Sequence, residues 1–203
     1  MKKPFPWGVL ATSAVLGLLL VGIVVYAAVN QGSGATDPLK KADHSVPGVQ
    51  IIKVAKRSHV QGPVTYDHTP PVGGDHNATP QTCQIYTAPI ANEHAVHSLE
   101  HGAAWVAYRP DLPATEVGKL TSLVRGNPYR LLSPYPGLPS AISLQAWGRQ
   151  LTATSASDPS IRKFLDAYTS GPQSPEAGAA CTGTQDTGPL SPPAAVLGPS
   201  PSA

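Results

Sequence analysis

The hydrophobic pattern divides the chain into an apolar leader, a patterned middle and polar ends. Residues 7–29 (WGVLATSAVLGLLLVGIVVYAAV) carry no charge over 23 positions, enough helix to cross a ~30 Å hydrocarbon core. Residues 30–48 are polar and broken by Gly and Pro, the pattern of a flexible linker. Residues 182–203 form a Pro/Ser/Gly-rich, low-complexity tail, which is expected to be disordered. The folded domain is therefore placed at 49–181.

Within 49–181, strand-like and helix-like patterns alternate. Val49–Ala55 is β-branched and apolar, which predicts a strand. Residues 58–82 carry repeated Pro and Gly and are expected to be irregular. Gln84–Thr87 fits a short strand. Asn92–His101 predicts a short helix, with Asn92 as N-cap, Glu93 in the first turn and Gly102 as the stop. Ala103–Tyr108 is an apolar strand. Pro113–Arg125 predicts a helix with Val117, Leu120, Leu123 and Val124 on one face. Tyr129–Leu132 and Ala141–Trp147 fit strands. Asp158–Tyr168 predicts a helix capped by Asp158, with Ile161, Phe164, Leu165 and Tyr168 at helical spacing. These elements predict an α+β fold with a small mixed or antiparallel sheet and helices packed on one face. A single transmembrane helix precedes it.

Charge fixes the expected topology. The formal net charge of +2 comes from Lys2 and Lys3, since the rest of the chain carries twelve basic and twelve acidic side chains. A neutral body lacks the basic footprint of a nucleic-acid binder. Lys2 and Lys3 precede the apolar run and no acid occurs before Asp37. The positive-inside rule then leaves residues 1–6 as a cytoplasmic stub and exports everything after residue 29. A cleaved signal peptide is the alternative, but its apolar region is usually ~7–15 residues. Either way the domain lies outside the cytoplasm, anchored to the cell membrane in the first case. The only two cysteines, Cys83 and Cys181, form an even pair that such a compartment favours as a disulfide. Cys83 as a metal ligand is the alternative.

All seven histidines lie between residues 44 and 101. At about 100° per residue, His94, His97 and His101 fall within about 60° of one another on the helix predicted there. Ala95, Val96 and Leu99 take the opposite face, and Glu100 flanks the histidines. Histidines at i and i+4 present nitrogens that one divalent ion can bridge. A neighbouring carboxylate can ligate, orient a ring or activate water. His76, in the loop PPVGGDH, is the candidate third ligand from outside the helix. Asp75 and His94 are candidate supporting residues around the ligands. The expected metal set is His76, His97, His101 and Glu100, for one zinc or copper ion. The only methionine is Met1, which excludes a thioether copper(I) site. HSLEH also matches H-x-x-E-H, the pattern of inverted zinc peptidases, with Glu176 as a distant acid. The small domain and the Pro/Gly-rich setting of Glu176 argue against that activity.

Several motifs together point to a family. They are Tyr66 followed by PPVGGDH ending at His76, Cys83 with Tyr86, VHSLEHG ending at Gly102, and WVAYRP ending at Pro110. SPYPGL at 133–138, AWG at 146–148 and PEAGAAC at 175–181 extend them. Over roughly 55–181 the chain resembles the bacterial domain-of-unknown-function family numbered three thousand one hundred and five. The resemblance implies a membrane-anchored or secreted bacterial protein, commonly actinobacterial, and supplies no activity. It places His76, His97, Glu100 and His101 on signature motifs, and ties His44, His59, His68 and His94 to them less closely.

Three functions follow as expectations. The leading one is metal handling or sensing at the cell envelope, without catalysis. The second is a metal-dependent hydrolase with Glu100 as base. The third is a structural or protein-interaction domain whose histidines form a polar network. A protein partner is not specified by the sequence.

Overall fold

The computed structural model describes residues 38–181, and the apolar segment 7–29 and the tail 182–203 lie outside them. Among the described residues the order is α1 (Pro38–Ser45), β1 (Gln50–Ile51), α2 (Asn92–Glu100), β2 (Ala104–Tyr108), α3 (Ala114–Val124), β3 (Arg130–Pro134), β4 (Ile142–Ala146), β5 (Arg149–Ala153) and α4 (Pro159–Tyr168). The fold is α+β. Its five strands make one mixed sheet in the order β1-β5-β4-β2-β3. β2 and β3 are parallel, joined through α3, while β2–β4, β4–β5 and β1–β5 are antiparallel. Among the described residues no helix is long and apolar enough to cross a membrane.

The sheet is covered on both faces, which corrects the expectation of helices on one face only. Val106, Leu132, Leu144 and Leu151 point to one side, where Leu120 and Val124 of α3 and Ile161, Phe164 and Leu165 of α4 complete a core. Trp105, Ala107 and Leu131 point to the other, against Ala95, Val96 and Leu99 of α2. Every residue of β2 and β4 is buried. Burial on both sides explains why β2 (AWVAY) reads as a continuous apolar run, while β4 (ISLQA) alternates and buries Ser143 and Gln145 as well. On the α2 side, Trp105 Nε1 donates to Ser133 Oγ at 2.9 Å.

Other boundaries differ from the sequence expectations. Pro38–Ser45, part of the segment expected to be a flexible linker, is helical. Asp43 of α1 accepts from Arg149 Nε at 2.6 Å and Nη2 at 2.9 Å, and from the Tyr168 hydroxyl at 3.0 Å. The predicted strand Val49–Ala55 pairs only at Gln50–Ile51, because β5 offers partners only at Gln150 and Arg149. Gln84–Thr87 contributes one isolated bridge, Ile85 to Leu132. The N-cap of α2 is Ala91 with no side-chain cap, not Asn92, whose amide turns to the Tyr135 hydroxyl. Asp158 does cap α4, accepting from Ser160 N. Cys83 and Cys181 are joined as a disulfide.

Candidate metal centre

The centre is assembled where α2 meets two irregular segments. α2 buries Ala95, Val96 and Leu99 in the core, which leaves His97 and Glu100 facing away from it toward those segments. The first segment ends at His76. Its backbone pairs with Ser58–Val60: His76 N donates to Ser58 O (3.0 Å) and Val60 N to His76 O (2.8 Å). That pairing sets His59 beside His76. Asp75 fixes the pairing, since Oδ1 accepts from Ser58 N at 2.9 Å and its carbonyl from the Tyr66 hydroxyl at 2.9 Å. Burial raises the Tyr66 pKa, with the charges of Glu93 and Asp75 adding to it, so the phenol stays a donor. Gly73 lets this loop pass close to its neighbour, as a Cβ there would meet Val54 Cγ2 at 2.7 Å.

His59, His76, His97 and Glu100 each offer one ligand atom, and these atoms lie within 4.8 Å of one another. The set is somewhat wider than the about 3.3 Å donor separations of a tetrahedral zinc ion with ~2.0–2.1 Å bonds. His76 is fully buried, His97 is 5% exposed and Glu100 2%, while His59 is exposed at the mouth.

The rings are oriented by backbone carbonyls. Nδ1 of His76 bonds Gly74 O (2.8 Å), Nδ1 of His97 bonds Asn77 O (2.7 Å) and Nδ1 of His101 bonds Ala180 O (2.7 Å). A carbonyl only accepts, so each Nδ1 carries a proton and each ring turns its Nε2 inward. Two consequences follow. Nε2 of His76 makes no hydrogen bond, although Glu100 Oε2 lies 3.1 Å away; the contact is close but not aligned as a hydrogen bond. Nε2 of His97 and Nε2 of His101 face each other at 2.9 Å. Two lone pairs at that distance repel unless a proton or a metal ion lies between them. Burial lowers the His97 pKa to about 4, against the raising effect of its bond to Asn77, with His101, His76 and His59 lowering it further. At neutral pH His97 therefore offers a lone pair and not a proton.

Glu100 has both oxygens engaged, Oε2 beside His76 and Oε1 3.3 Å from Arg57 Nη1. Arg57, 57% exposed, also lies 4.0 Å from Glu176 Oε1, whose Oε2 is 3.7 Å from His101 Nε2.

Of the expected ligands, the structure brings together His76, His97 and Glu100. His101 is their neighbour through His97; it is the C-cap of α2, its ring held by Ala180. His59 joins the cluster unexpectedly, because only the pairing with His76 brings it there. Asp75 supports the site by holding the segment that carries His59. His94 points away from the ligands and bonds Thr79 O, fixing the loop that supplies the Asn77 carbonyl. The Ser98 hydroxyl is spent on Gln81 O at 2.6 Å. Glu176, set aside in the sequence as lying in a Pro/Gly-rich loop, comes to His101 because Glu176 N donates to Glu100 O (3.1 Å) and Gly178 N to His101 O (3.1 Å).

The chain belongs to the family described as Protein of unknown function (DUF3105), whose model matches residues 59–183. That span takes in every ligand atom of the cluster and both cysteines. Neither a curated protein nor a solved structure matches the chain.

Proposed function

We propose that this member of a family without an assigned activity binds one divalent transition-metal ion through His59, His76, His97 and Glu100. The observation that carries the reading is the buried His76 Nε2, which makes no hydrogen bond yet belongs to a convergent set of three imidazoles and a carboxylate. An ion supplies the missing partner, and backbone carbonyls on Nδ1 are the usual way to aim a ligating ring. Imidazole with carboxylate suits zinc or copper(II). Bound there, the ion would supply Lewis acidity or, for copper, one-electron redox chemistry. The protein's own part is to aim the rings, keep His97 unprotonated and hold Glu100 beside Arg57.

Handling or sensing of the ion outside the cytoplasm is the function this supports best. The 7–29 segment would hold the domain at the membrane, with the N-terminus inside. A hydrolase using Glu100 as base is less well supported, because both Glu100 oxygens already have neighbours. A purely structural polar network is also less well supported, since such a network satisfies its buried nitrogens and this one leaves His76 Nε2 unpaired. Equilibrium titration with zinc and copper(II), in competition with a chromophoric chelator, tests the reading. One site per chain is expected, weakened about 10–100-fold or more by Glu100→Gln. An unchanged affinity in that variant would remove Glu100 from the site, and no binding of either ion would overturn the reading.

A further inference from the structure

We propose that the centre has a second, outer position for the ion, formed by His101 and Glu176 together with His97, and that a divalent transition metal enters and leaves through it. The proposal rests on the metal-binding reading above. His101 Nε2 lies 2.9 Å from His97 Nε2 and 3.7 Å from Glu176 Oε2. With its Nδ1 on Ala180 O, His101 turns its Nε2 toward both. Two imidazoles and a carboxylate are a sufficient donor set for such an ion.

The inner and outer sets share one atom, Nε2 of His97. It has a single lone pair, so the sets are alternatives for one ion and not the two halves of a dinuclear site. They differ in access. His76 and Glu100 of the inner set are 0% and 2% exposed, while the side chains of His101 and Glu176 in the outer set are 12% and 51% exposed. His59 of the inner set is itself exposed at the mouth; on the side of α2 away from it, an ion arriving from solvent meets the outer set first.

Glu176 is not there by the chance swing of a loop. The segment that carries it is tied to the end of α2 by Glu176 N on Glu100 O and Gly178 N on His101 O. It is also joined to the rest of the domain through Cys181 and Cys83. With His97 as the pivot, the ion passes inward by exchanging His101 and Glu176 for His76 and Glu100. It is never stripped of ligands, which avoids the large cost of a bare buried charge. Arg57, between Glu100 and Glu176 and more than half exposed, holds the two carboxylates apart from each other's charge and is free to turn into solvent when the ion replaces it.

Stopped-flow uptake of cobalt(II) by the full chain in detergent, read by its ligand-field absorption, tests this alongside an equilibrium titration. In Glu176→Gln, association is expected to slow about tenfold. Dissociation should slow as well, leaving Kd within about threefold, because a shared portal serves both directions; Glu176→Asp should restore part of the rate. In His76→Ala, cobalt should remain bound at the outer set, with a changed spectrum and affinity weakened about 100-fold. Uptake by Glu176→Gln at the wild-type rate would overturn the proposal while leaving the inner site intact. So would an affinity loss arising wholly from faster dissociation, since Glu176 would then be a ligand of a single resting site. Wild-type chain that binds no cobalt would instead overturn the metal-binding reading itself.

Discussion

Acid should destabilise the metal-free domain through His97. In the folded chain burial holds this ring's pKa at about 4, below the ordinary 6.5. Between those two values the unfolded chain binds more protons than the folded one, so stability falls as pH falls through the window. The contribution is fully present above pH ~6.5 and fully lost below pH ~4. The gap corresponds to at most about 3 kcal/mol. The centre is open to solvent on the side of His59, and screening there reduces the figure to about 1–2 kcal/mol. Urea denaturation in the presence of a chelator, at intervals from pH ~7 down to ~4, measures it. Wild type should lose about 1–2 kcal/mol more across this window than His97→Asn, which has no ring to protonate. Equal losses in the two proteins would refute the reasoning, because the buried ring would then contribute nothing to the pH dependence.

Two further outcomes test the scaffold around the site. Asp43→Ala leaves Arg149, 9% exposed in its side chain, without its carboxylate, and should cost about 3 kcal/mol in urea denaturation; a loss under about 0.5 kcal/mol would mean that α1 is not held by this pair. The Cys83→Ser/Cys181→Ser double variant opens a loop with a sequence separation of 98 and should lose about 4–5 kcal/mol of stability by chain entropy. Unchanged denaturation in that variant, or two free thiols in a non-reducing digest of wild type, would count against the bridge as a structural tie.

Local pattern recovered what local physics decides. The heptapeptide around His97 reads as a helix with an apolar face and a histidine face because both follow from a 3.6-residue period, and α2 has that division. β2 reads as a strand because burial on both faces makes it uniformly apolar, and β4 because Ile142, Leu144 and Ala146 alternate with Ser143 and Gln145. β5 was missed because Arg149 and Gln150 look like solvent-facing residues. Both are buried, and their partners, Asp43 and the Pro70 carbonyl, lie far away in sequence. α1 was missed for the same reason, since PLKKADHS has little apolar periodicity and is held by that ion pair. The site shows the same limit. His76, His97 and Glu100 stood on motifs, whereas His59 enters through a parallel bridge to residue 76, and Glu176 through backbone bonds to the end of α2. Helical phase alone grouped His94 with the ligands, but a loop carbonyl, invisible to periodicity, turns it away.

The most direct test is the metal content of the full chain, purified without a histidine tag or chelator. The account expects about one equivalent of zinc or copper per chain, and close to none in a His76→Ala/His97→Ala variant that keeps its circular dichroism. Wild type that carries no metal and takes up neither ion on titration would contradict it, and would leave the histidines as structure alone.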